Sequence, residues 1–173
     1  MDLRKNGLSA YKVGDRIELT IEDIAAGGEG VGKIDGFVIF VPASAPGDKL
    51  SVELTTLKKK YGRGRIAKII EPSRRRVKPP CPVYESCGGC QFQHLDYDAQ
   101  LAYKTKMVQD AIAHLGSLDS VEVKPCKGMS DPWAYRNKAQ MMVAGRPYLD
   151  REHSEKAPRL RPYFGFYAQR THR

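Results

Sequence analysis

The sequence predicts a mainly β protein with an α+β second part. A small five-stranded closed barrel comes first, then a cysteine-rich segment, one long helix and a central β region. Three observations carry that expectation. Short apolar–polar alternations recur between Gly and Pro turn signals through the first seventy residues. A run near residue 100 repeats at helical spacing. Three of the four cysteines fall within ten positions, Cys81 to Cys90.

The elements follow in order. Val13 to Ile24 alternates Ile17, Leu19 and Ile21 with Arg16, Glu18 and Glu22, the pattern of a half-buried strand. Gly27 to Gly32 is a glycine-rich turn region, and Asp35-Gly36 is a tight-turn signal leading into Phe37 to Val41. After the Pro42 to Asp48 break, Lys49 to Leu57 places Leu50, Val52 and Leu54 on one face, and Gly64 to Ile70 reads as a last strand. Five short strands in about sixty residues with no helical period describe a closed OB-like barrel. Gly27 to Lys33 also fits G-x-x-x-x-G-K, most of a phosphate loop. Ile34 stands where that loop needs Ser or Thr, and a strand follows where it needs a helix, so nucleotide binding is set aside. The glycines are read as a bend or bulge in a tight barrel.

Charge points to a polyanion. The 173 residues carry a formal net charge of +9, with 41% hydrophobic residues, which argues against a disordered chain. Between Lys58 and Lys78 stand ten Lys or Arg residues and a single acid, Glu71. Lys58, Lys59 and Lys60 fall at the turn between the last two strands, beside Tyr61, Arg63 and Arg65, and Arg74, Arg75 and Arg76 follow the barrel. Cations beside an exposed aromatic combine phosphate contact with base stacking, so these nine residues are candidate RNA or DNA contacts. A solvated hairpin tip is the plainer alternative. No stretch approaches the eighteen or so apolar residues of a membrane span, and no apolar run follows the first charges as in a secretory signal. The expectation is a cytoplasmic chain with reduced cysteines.

Beyond Pro79-Pro80, Cys81, Cys87 and Cys90 have the spacing C-x5-C-x2-C, with Gly88 and Gly89 free to wrap closely round a bound group. Clustered thiolates suit zinc or an iron–sulfur centre, and spacing alone does not separate the two. The fourth ligand is Cys126, His94 or a residue outside these 173. Cys126, after Pro125, reads better as a small buried apolar residue. Asp96 caps a helix running to about Leu115, with Tyr97, Leu101, Val108, Ala111, Ile112 and Leu115 near one face and Gly116 as its stop. Strands are expected at Val121 to Val123, Lys138 to Val143 and Phe164 to Tyr167, with a charged loop from Arg146 to Arg161. Arg136, Asn137, Lys138 and Gln140 join two cations to two amides, a set able to hold phosphates and base edges.

Two stretches resemble known sequences. Val13-Gly14-Asp15, the run Gly28 to Gly32, Val41-Pro42-Ala43 and Pro46-Gly47-Asp48 resemble a TRAM domain, an RNA-binding OB-like barrel, over about residues 8–71. Cys87 to Leu95 with Tyr97, Ala99 to Leu101 and Lys104, and then Pro132-Trp133 with Tyr135 to Gln140, look like successive motifs of the TRAM-containing RNA uracil-5-methyltransferases. The chain then reads as TRAM domain 8–71, linker 72–80, iron–sulfur segment 81–95, helix 96–116 and an incomplete central β domain 117–173. The resemblance implies a [4Fe–4S] cluster on Cys81, Cys87 and Cys90, with a fourth cysteine that falls beyond Arg173 and is expected to be absent. It also implies RNA as partner, 23S rRNA first and tRNA second, with no membrane and no obligate protein partner. In the family, a uracil is flipped out, a cysteine attacks C6, C5 takes a methyl group from S-adenosylmethionine, and a carboxylate helps remove the C5 proton. Those groups sit in a Rossmann-like domain with no counterpart in this sequence. No residue here is therefore assigned a catalytic or S-adenosylmethionine-binding role, and the chain is expected not to methylate by itself. The alternative is a free-standing RNA-binding module with a structural zinc or iron–sulfur site.

Overall fold

The computed structural model describes residues 11–118, 120–144 and 163–166. The chain divides into two compact units, one of residues 1–78 and 91–129, the other of 79–90 and 130–173.

The first unit is built on five strands, β1 (Arg16–Ile24), β2 (Gly30–Ile34), β3 (Phe37–Val41), β4 (Lys49–Leu57) and β5 (Tyr61–Glu71). They close into a barrel in the order β1-β2-β3-β5-β4, every neighbour antiparallel except β3 with β5. This is the expected five-stranded barrel. Alternation fills it: Ile17, Leu19, Ile21, Phe37, Ile39, Val41, Leu50, Val52 and Leu54 form one buried cluster. Asp35 (φ 49°) and Gly36 (φ 79°) both adopt left-handed backbone, which turns β2 into β3 in two residues.

The last strand begins earlier than the sequence suggests. It starts at Tyr61 where Gly64 is expected, with Gly62 and Gly64 buried and alternating with outward Tyr61, Arg63 and Arg65. A Cβ on Gly64 would overlap Val52 Cγ1, and one on Gly32 would stand 2.5 Å from the Thr20 carbonyl oxygen. These glycines mark close strand approach. The run resembling a phosphate loop supplies the β1–β2 connection and β2 itself, opposite a register shift between Ile21 and Asp23.

Helix α1 (Tyr97–His114) is capped by Asp96, whose side chain accepts from the Ala99 N–H. Its packing face departs from expectation. Ala99, Tyr103 and Met107, at steps of four, pack with Ile24, Ala45, Leu95 and Phe92 against the barrel. Of the expected face, Val108 and Leu115 are exposed. Tyr97 and Leu101 instead meet residues 126–129: the Tyr97 hydroxyl accepts from the Met129 N–H at 2.9 Å, and Leu101 lies against Gly128. The backbone turns left-handed at Ser117 (φ 53°), one residue beyond Gly116.

Val121 to Val123 forms no strand. Every barrel strand already has two neighbours, so no barrel edge is open to pair with it. In the second unit, β6 (Met142–Ala144) and β7 (Tyr163–Gly165) pair antiparallel. The strand expected from Lys138 therefore starts only at Met142. The expected loop at 146–161 and Tyr167 lie outside the described residues.

Candidate nucleic-acid interface and cysteine segment

The β4–β5 hairpin presents Lys58, Lys59 and Lys60 to solvent, pinned at its base by the Lys58 N–H donating to the Tyr61 carbonyl at 2.9 Å. Among the described residues, no carboxylate lies within ion-pair reach of these three lysines or of exposed Arg74. The other cations of the run differ. Arg63 pairs with Glu29 at 3.0 Å, Arg65 with both oxygens of Glu53 at 2.8 and 3.0 Å, and Arg75 with Asp96 at 3.4 Å. In those pairs the arginine side chains stay about half or more exposed, so water and salt screen the attraction.

Arg76 is committed to the interior. Its Nε and a terminal nitrogen donate to the two oxygens of Asp48 at 3.0 and 2.5 Å, and the same terminal nitrogen donates to the Ala43 carbonyl. Asp48 is fully buried and also accepts from the Ala45 and Ser73 N–H groups. Burial alone would raise its carboxyl pKa. The Arg76 and backbone hydrogen bonds, with the Arg76 charge, outweigh burial and hold it below the ordinary carboxylate value. The third arginine of Arg74-Arg75-Arg76 thus ties the linker to the barrel.

His94 lies beside this network, 1% exposed, with Nε2 hydrogen-bonded to the Ser44 carbonyl at 3.0 Å. Burial lowers its pKa and favours the neutral ring, with the Ser44 hydrogen bond opposing. This position accounts for the histidine as part of the barrel–helix junction. Cys126 is half-buried, with its N–H donating to Thr105 Oγ1 at 2.8 Å.

Tyr61 meets Phe40 edge to face, ring centroids 5.6 Å apart. Phe40 was not singled out from the sequence. The alternation of Phe37-Val38-Ile39-Phe40-Val41 holds the signal, since it turns Phe40 outward.

In the second unit, Cys81, Cys87 and Cys90 are free thiols, each half-exposed. Tight turns join them: the Cys87 N–H donates to the Val83 carbonyl at 2.8 Å and the Gly89 N–H to Cys87 Sγ at 3.4 Å, and Tyr84 is buried. Among the described residues, no three His, Cys, Asp or Glu side chains are gathered closely enough to hold a metal ion. Arg136 lies over the Phe166 ring, 5.7 Å from its centroid, and Asn137, Lys138 and Gln140 are exposed.

Residues 11–67 match the TRAM domain model. An uncharacterized RNA methyltransferase of Halalkalibacterium halodurans is 46% identical over 159 residues, 92% of this chain and 32% of that protein. One of Listeria innocua is 48% identical over 135 residues, 78% of this chain and 30% of that protein. The chain thus spans about a third of the length of the curated relatives it matches. The crystal structure of Pyrococcus abyssi tRNA (uracil-54, C5)-methyltransferase in complex with S-adenosyl-L-homocysteine aligns at 33% identity and a TM-score of 0.40, over 56% of this chain and 21% of that one. The chain thus carries a TRAM domain over residues 11–67, and over most of its length it is similar to proteins named RNA methyltransferases.

Proposed function

We propose that these residues are the RNA-gripping part of an S-adenosylmethionine-dependent RNA (uracil-5-)-methyltransferase that acts on 23S ribosomal RNA. The observation carrying the binding role is the β4–β5 hairpin, where three exposed lysines without carboxylate partners among the described residues directly precede the half-exposed Tyr61. Such a tip attracts a phosphate backbone and releases its counterions. Lys58, Lys59, Lys60, Tyr61 and Arg74 are the primary contacts, and Arg63, Arg65 and Arg75 join by exchanging surface carboxylates for phosphates. Arg136, Asn137, Lys138 and Gln140 offer a second set of donors. Uracil specificity and the methyl donor rest on the motif resemblance. The methyl-transfer step belongs to groups outside these residues, so residues 1–173 alone bind RNA without methylating it.

The same reading places a [4Fe–4S] cluster on Cys81, Cys87 and Cys90. Their chemistry fits: three free thiols, a backbone N–H directed at the Cys87 sulfur, and paired glycines between the last two cysteines. A fourth ligand comes from elsewhere. When bound, the cluster supplies a covalent tie among the cysteine positions and a redox-active iron centre.

Two measurements test this proposal. Fluorescence anisotropy with a labelled ribosomal RNA fragment is expected to show binding that weakens steeply with salt. Absence of binding at low salt overturns the RNA role. Anaerobic incubation with iron and sulfide is expected to give a brown protein whose colour is lost when Cys81, Cys87 and Cys90 are replaced by serine. A colourless protein carrying stoichiometric zinc would favour a structural zinc module instead.

A further inference from the structure

Within the second unit, the cysteine turn and the end of β7 meet at one aromatic ring. Residues 79–90 and 130–173 form that unit, so both belong to one compact body. Met142 pairs with Gly165, and Phe166 is the next residue along the chain, where β7 has ended. A methyl group on Gly89 would stand 3.4 Å from Cys87 Sγ and 3.6 Å from Cδ2 and Cγ of Phe166. The Cys87 sulfur and the Phe166 ring are therefore separated by the room of a single methyl group, and a glycine at position 89 leaves that room open. The Arg136 guanidinium lies over the same ring, 5.7 Å from its centroid, a cation–π contact that helps to hold it. Phe166 stays 43% exposed, which makes it a cover at the surface and not a core residue. An apolar ring beside a cysteine sulfur keeps water away, and the apolar shell of a ligated iron centre controls its access to solvent.

We propose that Phe166 is a positioning residue for the cysteine segment. Its ring, held by Arg136, covers the Cys87-Gly88-Gly89-Cys90 turn and limits access of water and small reagents to the Cys87 sulfur and to the iron ligated there. The iron part rests on the cluster proposed above, and the thiol part rests on contacts among the chain's own residues.

Two rates test it. In the reduced, metal-free protein, alkylation of Cys87 by a maleimide is followed by mass spectrometry, with Cys126 of the other unit as internal reference. Phe166→Ala should raise the Cys87 rate severalfold and leave the Cys126 rate unchanged. After anaerobic loading with iron and sulfide, loss of iron to a chelator is followed by visible absorbance. Phe166→Ala should lose iron about tenfold faster, the lower end of what removing a supporting partner costs in metal affinity. Phe166→Tyr keeps the ring and should match the unchanged protein in both rates, and Arg136→Ala should move both in the direction of Phe166→Ala by less. Circular dichroism melts check folding. If Phe166→Ala does not fold, Phe166→Leu, which removes the ring and keeps apolar bulk, decides in its place. Equal Cys87 alkylation with and without the ring overturns the cover, and faster alkylation with unchanged iron loss overturns its role toward the iron. An unchanged protein that takes up no iron overturns the cluster instead, and the alkylation rates then decide the cover alone.

Discussion

Asp48→Asn should unfold the barrel unit far more readily than any change among the surface cations. Each Asp48 oxygen accepts one backbone N–H and one guanidinium N–H: Ser73 and Arg76 Nε on one, Ala45 and the Arg76 terminal nitrogen on the other. An asparagine has one acceptor oxygen, so whichever way it flips its NH2 faces two donors, and Arg76 loses its counter-charge in a largely buried position. Breaking a buried pair by removing one partner costs about 3–5 kcal/mol. For a unit of this size that is on the order of 10–30 °C in Tm, from a total stability of roughly 5–15 kcal/mol. The assay is thermal and urea melting at pH 7 of the unchanged chain, Asp48→Asn, Arg76→Met and the double variant. The double variant should cost less than the sum of the singles, since neither charge is then left alone. The pH dependence has a definite sign. A carboxyl whose folded pKa is depressed contributes stability that is complete above its ordinary value near 4 and lost as pH falls toward the folded value. The unchanged chain should therefore weaken below about pH 4, and Asp48→Asn should lack that component. A single variant melting within about 3 °C of the unchanged chain, or additive singles, would refute the role assigned to this pair.

Other consequences are checked more simply. Replacing Lys58, Lys59 and Lys60 with alanine should reduce the slope of log K against log salt for single-stranded RNA by about 2, at roughly 0.7 per phosphate contact. Arg74→Ala should weaken RNA binding with Tm unchanged, whereas Arg76→Ala should lower Tm; the opposite assignment would place the RNA contact wrongly. Gly64→Ala forces a methyl group onto Val52 and should cost about 1–3 kcal/mol in urea melts. His94 has a folded pKa below its ordinary value, so its contribution is complete above about pH 6.5 and lost as pH falls from there. His94→Gln should flatten the melting profile across that window, and an unchanged profile would show that another group titrates.

The sequence by itself determined the barrel, the capped helix and the place of the lysine hairpin. Each follows from local rules: alternation selects the buried face of a strand, Asp96 supplies the cap, and an Asp-Gly pair supplies left-handed backbone. It also held the cysteine spacing and the motifs that place the chain among its relatives. Tertiary structure decided what local pattern leaves open. Arg74, Arg75 and Arg76 are identical letters in sequence, yet only Arg76 meets the buried carboxylate of Asp48, twenty-eight positions away. The helix face that packs is the one carrying Ala99, Tyr103 and Met107, because the barrel presents Ile24 and Ala45 to it. Val121 to Val123 has the pattern of a strand and no open barrel edge to join. Phe40 and Tyr61 are twenty-one residues apart and become neighbours only through the parallel pairing of β3 with β5. Alternation says which way a side chain points, and long-range pairing decides what it meets there.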